Sequence, residues 1–323
     1  MIMTNTTHHD VIILGGGAAG LSAGLVLARA QARVLVLDSG EPRNAAAAEM
    51  HGFLSRDGMN PAELLAVGRG EVTASGGVVR AASVVAITGD AERGFSATLA
   101  DGSVEHARAL LVATGLSDEI PSIPGIREAW GSVVHHCPYC HGYEVRNQSI
   151  LVLGGEAREM SIKQAALLRR YSNRVAFATN GIELTDAERN RIEAFGVRIV
   201  DGAVERLTDA GNAPDAVVLV LADGRTVAGD AVFIAPRMRP NDALLRSLGC
   251  AINEQTGFAT VDENGQTSVA GVWAAGNAVN PRAQVITAAG AASAAAIAIN
   301  GWLLEKDLDL ASVAQHELSH HFN

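Results

Sequence analysis

Along this chain, short apolar runs closed by glycines alternate with longer stretches of helical period. The first run, Asp10-Val-Ile-Ile-Leu14, meets Gly15-Gly-Gly17-Ala18-Ala19-Gly20; an apolar-periodic stretch to Ala30 and Arg33-Val-Leu-Val-Leu-Asp38 follow. Short apolar runs between turn residues predict buried strands and the helical period predicts a helix, so the order is strand, glycine turn, helix, strand. The same order recurs from Ser149-Ile-Leu-Val-Leu153 through Gly154-Gly155 and a helix over Ile162 to Arg170, ending in Arg174-Val-Ala-Phe-Ala178. Between the two, Val78 to Leu99 alternates like strands and Ala109 to Ala113 is a buried strand running into Thr114-Gly115. Later come strands at Ala216 to Leu221 and Ala231 to Ala235, then Gly271-Val-Trp-Ala-Ala-Gly276-Asn277, and a long Ala-rich helix over Val285 to Leu304.

This pattern predicts an α/β chain with two Rossmann-like, three-layer nucleotide-binding domains. A length of 323 residues suits two domains of ordinary size. Breaker residues cluster at Gly115 to Gly125 and at Pro236 to Pro240, the expected crossings between domains. With 48% hydrophobic residues, 34 glycines and 4% aromatics, the composition fits buried sheets with many tight turns and excludes disorder. A net charge of -10 without a basic run opposes nucleic acid and anionic membrane as partners. Met1 to Asp10 lacks the charged start and apolar core of a secretion signal, so the expected location is the cytoplasm. The late apolar stretch holds Gly290, Ser293 and Asn300, which reads as a packed helix rather than a membrane span.

Gly15, Gly17 and Gly20 leave bare backbone amides at a helix start, where a pyrophosphate can approach closely. Asp38, with Ser39 after it, stands where an acid accepts hydrogen bonds from a ribose. Cys137-Pro-Tyr-Cys140 has the spacing of a short redox disulfide, and Pro138 supports a helix start that would stabilise a thiolate. His136 and His141 flank the pair and can carry protons to and from sulfur in the working pH range. Half of a zinc site and a pair of inert thiols are the competing readings; with Cys250 alone and no second ligand pair, no metal is expected. His316-Glu-Leu-Ser-His320 matches a zinc-protease motif but lies at the terminus, where a solvated tail is the simpler reading.

Taken in order, the glycine turn, Ala113-Thr114-Gly115, the C-x-x-C before the second unit and Gly271 to Asn277 resemble the low-molecular-weight thioredoxin reductases. Pro42-Arg43-Asn44, His51-Gly-Phe-Leu-Ser-Arg-Asp-Gly58 and Cys137-Pro-Tyr-Cys-His-Gly-Tyr-Glu144 look like the thioredoxin-reductase-like branch, which includes the dithiol oxidases of gliotoxin, holomycin and romidepsin biosynthesis. The resemblance implies a homodimer and an FAD domain split in sequence, residues 1–118 and 241–323, around a pyridine-nucleotide domain at 119–240 that carries the cysteines. It implies FAD, with NADP(H) as a candidate second nucleotide, and assigns Arg43, Asn44, His51, Thr114, Gly115, Gly276, Asn277, Gln284 and Val285 to the FAD side. Cys140 would face the flavin and Cys137 the substrate, a small-molecule dithiol or disulfide in one reading and a thioredoxin-like protein in the other. A non-enzymatic flavin-binding redox sensor is a third class.

The chain departs from that pattern in four places. His141 stands where the reductases carry an aspartate after the second cysteine, and Asn277 replaces an aspartate in the late motif. The second turn, Gly154-Gly155-Glu156, lacks its third glycine, and Thr179-Asn180-Gly181 replaces a pair of arginines, leaving Arg158 or Arg174 as substitutes.

Overall fold

The computed structural model describes residues 8–209 and 217–321, with the side chains of the last helix as far as Val313. In chain order the elements begin β1 (His8–Leu14), α1 (Ala18–Arg29), β2 (Val34–Asp38), α2 (Pro61–Ala74), β3 (Val78–Ala81), β4 (Val84–Asp90), β5 (Gly94–Leu99) and β6 (Val104–Val112). Next come β7 (Leu116–Glu119), β8 (Val134–His135), α3 (Pro138–His141), β9 (Ser149–Leu153), α4 (Arg158–Leu168), β10 (Arg174–Ala178), α5 (Asp186–Ala194) and β11 (Arg198–Val200). The rest are β12 (Val204–Asp209), β13 (Val217–Leu221), β14 (Thr226–Gly229), β15 (Ala231–Ile234), β16 (Arg237–Pro240), α6 (Ala243–Ser247), β17 (Val272–Ala274) and α7 (Val285–His321).

The chain divides into two compact units. The first holds residues 8–43, 62–117 and 240–321; the second holds 44–61 and 118–239. The crossings at 117/118 and 239/240 fall in the breaker-rich stretches. Those at 43/44 and 61/62 also lie beside breakers, Gly40 and Pro42 at one and Gly58 and Asn60-Pro61 at the other, and they move residues 44–61 away from the rest of 1–118.

In the first unit the sheet runs β3-β2-β1-β6-β5-β4, with β17 also on β6. The β1, β2, β3, β6 and β17 pairings are parallel, and β4-β5-β6 is antiparallel. Parallel strands buried on both faces read as continuous apolar runs, and Val11 to Leu14, Val34 to Leu37 and Ala109 to Val112 are all buried. One face packs on α1 and α7, where Ala288, Ala292, Ala295 and Ala296 allow close approach of the helices. The longer length of α7 has a local cause: after Leu304 the segment Glu305-Lys-Asp307 continues in strong and moderate helix formers with no glycine or proline. Over Val285–Val313 this is the one described helix long and apolar enough to cross a membrane, yet its buried alanines belong to the core of the first unit.

In the second unit a parallel sheet runs β11-β10-β9-β15-β8, beside a three-stranded antiparallel sheet β12-β13-β14. Val134, Leu151, Leu153, Leu219, Leu221 and Val232 share one core between the two sheets. Strand β8 is only two residues long, and its partner in β15 sets His135 beside Phe233. The helix sits where Pro138 predicts it, with Cys137 as N-cap and the proline in the first turn.

Candidate functional site

The glycine turn of the first unit joins β1 to α1 at the centre of its sheet. Gly15 has φ +106°, and a Cβ there would lie 2.5 Å from the Ala113 oxygen. A Cβ on Gly20 would lie 1.8 Å from the Gly15 oxygen, so neither position accepts a side chain. Gly17 is the N-cap, no side chain caps the helix, and nothing lies within 4 Å of where its Cβ would be. The result is an open cradle of backbone amides at a helix start, a place for an anion. Asp38 accepts from the Gly16 and Gly40 amides, each at 3.2 Å, and from Arg69 at 3.0 Å. Beyond it opens a cavity of about 780 Å³ lined by Asp38, Gly40, Arg69, Thr73, Val79 and Ala81. That size holds a nucleoside with room to spare.

Residues far apart in sequence complete this side. Arg43 donates to Asn277 Oδ1 (3.4 Å), and Asn277 Nδ2 donates to the carbonyls of Asn280 (2.9 Å) and Ala283 (3.0 Å). Gly276, at φ +70°, starts that turn, and Gln284 and Val285 lead into α7. Thr114 Oγ1 donates to the Asn241 carbonyl (2.6 Å), which fixes the Thr114-Gly115 corner. The cradle, the acid and the cavity fit an adenine dinucleotide.

The second unit carries the sulfur chemistry. Cys137 and Cys140 are joined as a disulfide with Cα atoms 5.2 Å apart. His136 stacks on Trp130 (5.7 Å between centroids), and its carbonyl accepts from Gln164 at 2.7 Å. His141 stacks instead on His135, at 4.4 Å and 18°. Reading the sequence passes over His135, because its contact with His141 comes from a neighbour on the next helix rather than from motif spacing. His135 is 7% exposed and its Nδ1, like that of His141, is buried without a hydrogen-bond partner. Burial, and next the positive ends His141 and His136 would present, push the His135 imidazole down to about 3, so this ring is neutral in the working range. Burial also lowers His141, opposed by the Glu144 carboxylate and helped by His51. Both rings are therefore biased toward the neutral form.

His51 and Asn44 belong to this second unit, apart from the other residues assigned to the FAD side. The His51 ring faces three carboxylates: Glu49 at 3.6 Å, Asp57 at 3.5 Å and Glu144 at 3.5 Å.

The second glycine turn differs. A Cβ on Gly154 would meet the Thr179 oxygen at 2.1 Å, as tight as the first turn, but at Gly155 the nearest atom is 3.8 Å away. Arg158 is committed to Glu188 (2.6 Å), Glu159 (2.8 Å) and the Glu183 carbonyl (2.9 Å), and Arg174 to the Asn147 carbonyl (2.5 Å). Asn180 spans from the Gly154 carbonyl to the Val204 amide. Cys250 is buried against Thr267, and burial raises its thiol. The side chains of His316 and His320 lie outside the described residues.

A family profile described as pyridine nucleotide-disulphide oxidoreductase matches residues 9–296. The thioredoxin reductase tcpT of Claviceps purpurea (strain 20.1) is 32% identical over 289 residues, 85% of this chain and 88% of that protein. A thioredoxin reductase of Mycolicibacterium smegmatis is 29% identical over 323 residues, 94% of this chain and 99% of that protein. The crystal structure of HlmI superposes with a TM-score of 0.92 at 44% identity, covering 98% of this chain and all of the other. An oxidoreductase from Agrobacterium tumefaciens follows at a TM-score of 0.85 and 35% identity, covering 92% and 99%.

Proposed function

The chain belongs to the pyridine nucleotide-disulphide oxidoreductases, flavin-dependent enzymes that work with FAD and NADPH, and from that premise we propose that it closes a small-molecule dithiol to its disulfide through Cys137 and Cys140. The observation that carries this reading is the bonded cysteine pair at the start of α3, followed directly in the chain by an imidazole, His141, instead of a carboxylate. The full-length likeness to HlmI supports the same choice.

Residues of the first unit do the holding: Gly15 to Gly20 receive the pyrophosphate and Asp38 the ribose. Arg43, Thr114, Asn277, Gln284 and Val285 line the remainder of the flavin side. FAD held there would supply the two-electron acceptor, with O₂ or NADP⁺ as the outside electron partner. Within the second unit, a substrate thiol gives its proton to His141 and the thiolate attacks Cys137 Sγ, breaking the bond to Cys140 with the electron pair left on Cys140. The second substrate thiol then loses its proton to solvent, and its thiolate attacks the substrate sulfur of the mixed disulfide, forming the product disulfide and leaving Cys137 as the thiolate. Cys140 is the flavin-facing sulfur in this reading, and His136, held on Trp130, flanks Cys137, the sulfur that the substrate attacks.

A homodimer in the cytoplasm completes the reading. Ile286, Ile297, Leu304 and Leu308 are exposed on α7 at spacings that fall on one face, a stripe suited to a second copy. Light scattering on the purified protein tests it.

Under air, the enzyme offered a small dithiol should consume O₂ and release disulfide over many turnovers. Dependence on NADPH and on a protein disulfide would instead make it a reductase of thioredoxin-like proteins, the reading that the name of the Mycolicibacterium relative favours.

A further inference from the structure

We propose that Glu144 and His51 are positioning residues of the dithiol site: Glu144 steadies His141 whenever that ring carries a proton, and His51 holds Glu144 and links it to water. This rests on the thiol-exchange reading above and deepens it. The need is chemical. Each substrate thiol that becomes a sulfur nucleophile loses a proton, and the ring that takes it must later give it up. His141 is poorly placed to do so alone, because its Nδ1 is buried without a partner and the ring beneath it, His135, is buried as well.

Glu144 lies three residues past His141, on the turn in which the Val145 amide bonds the His141 carbonyl. Its carboxylate is the anion that favours a charged His141 against burial. On the other side of Glu144, His51 Nε2 lies 3.5 Å from Oε1, with Glu49 at 3.6 Å from the same nitrogen and Asp57 at 3.5 Å from Nδ1. The His51 side chain is 15% exposed while those of Glu49 and Asp57 are 60% and 68% exposed, so the cluster runs from an enclosed ring to open solvent. Asp57 is anchored by the Gly52 amide at 2.8 Å, which fixes the loop around His51. The remaining titratable groups facing these rings are His135 on β8, His136 beyond it, and Tyr171, whose ring lies against Gly142 and whose phenol is raised first by burial and then by Tyr139 and Glu144. None supplies a second anion next to His141. A positive His51 opposes a proton on His141, whereas Glu144 favours one, so the two should act with opposite sign.

The test is a ¹³C-histidine NMR titration of the purified, flavin-loaded protein, with the His141 signal assigned by its loss in His141→Gln. Glu144→Gln should move the His141 midpoint down, and His51→Gln should move it up, each by about half a pH unit. The anaerobic exchange rate with dithiothreitol should follow, its acid limb moving the same way and changing by about threefold on that limb. Midpoints that stay fixed, or that shift together in one direction, overturn the proposal. If the midpoints move apart while wild-type protein fails to exchange with any dithiol, the coupling stands and the dithiol-oxidase reading falls.

Discussion

The turns at Gly15 to Gly20 and at Gly154 to Ala157 begin alike. Each follows a parallel strand at the centre of its sheet, each opens a helix, and in each the first glycine abuts a carbonyl of a neighbouring strand end, Ala113 in one and Thr179 in the other. They part at the next positions. The first turn adds Gly20 under the Gly15 oxygen, an open Gly17 and an acid at the end of β2, while the second has Glu159, Glu156 and Ala178 in their places and ties its nearest arginine to three acceptors. A glycine can mark packing between strands without marking a ligand; what separates the two is whether the turn leaves amides open.

The largest effect should come from breaking the first turn. Gly20→Val puts carbon into a backbone oxygen 1.8 Å away and should yield protein without flavin, or none that folds, whereas Gly155→Ala, with its nearest atom at 3.8 Å, should purify with normal flavin content. Flavin absorbance per protein decides it, and equal loss in both variants would end the distinction. Second in size, His141→Ala should leave flavin bound while slowing dithiol exchange by about a hundredfold, the scale of a lost general base. Unchanged exchange would remove the imidazole from the chemistry.

Much of this was legible because it is local. A glycine turn needs its glycines within six positions, and a redox disulfide needs two cysteines three apart; both sit in one stretch of sequence and on described elements. His135 was not legible, since its partners His141 and Phe233 are set by a two-residue strand pairing with β15 far along the chain. The grouping of Glu49, His51 and Asp57 with Glu144 likewise depends on residues 44–61 folding with the second unit, and the breakers at its edges, Pro42 and Asn60-Pro61, mark a boundary without saying which unit the segment joins. Helix α2 also lacked a usable pattern, with Gly68 and Gly70 interrupting it.

The two units should also differ in acid. In the folded chain His135 sits at about 3 against 6.5 when unfolded, so the unfolded state binds the extra proton first. Its contribution is complete above pH 6.5 and is lost as the pH falls from there toward 3. Asp10 in the first unit shifts with the same sign in a lower window: burial pushes it up, but bonds to Arg33 outweigh this and hold it below 3.8, so its contribution persists to lower pH. His135→Phe, which keeps a ring beneath His141, should flatten the fall in melting temperature between pH 7 and pH 5, both about the ordinary histidine range. Parallel melting curves for variant and wild type would show that this ring is not the acid-sensitive part.

The smallest expected effect tests why the second turn is poor. Arg158 could meet a ribose phosphate, but Glu188 holds it at 2.6 Å, and the same carboxylate accepts from Thr185 to close the capping box of α5. Arg158, followed by the Thr185 bonds, pulls Glu188 down to about 2, so the pair stays ionised throughout the useful pH range. Glu188→Gln keeps an oxygen for the Thr185 amide, and with it the helix start, while removing the anion that competes for Arg158. An exposed pair of this kind is worth little, so NADPH should bind only about two- to threefold more tightly. NADH, which lacks the phosphate, should not change. An equal gain for both nucleotides would mean that the variant reshaped the turn rather than freed the arginine, and the weakness of this site would then lie in the missing third glycine.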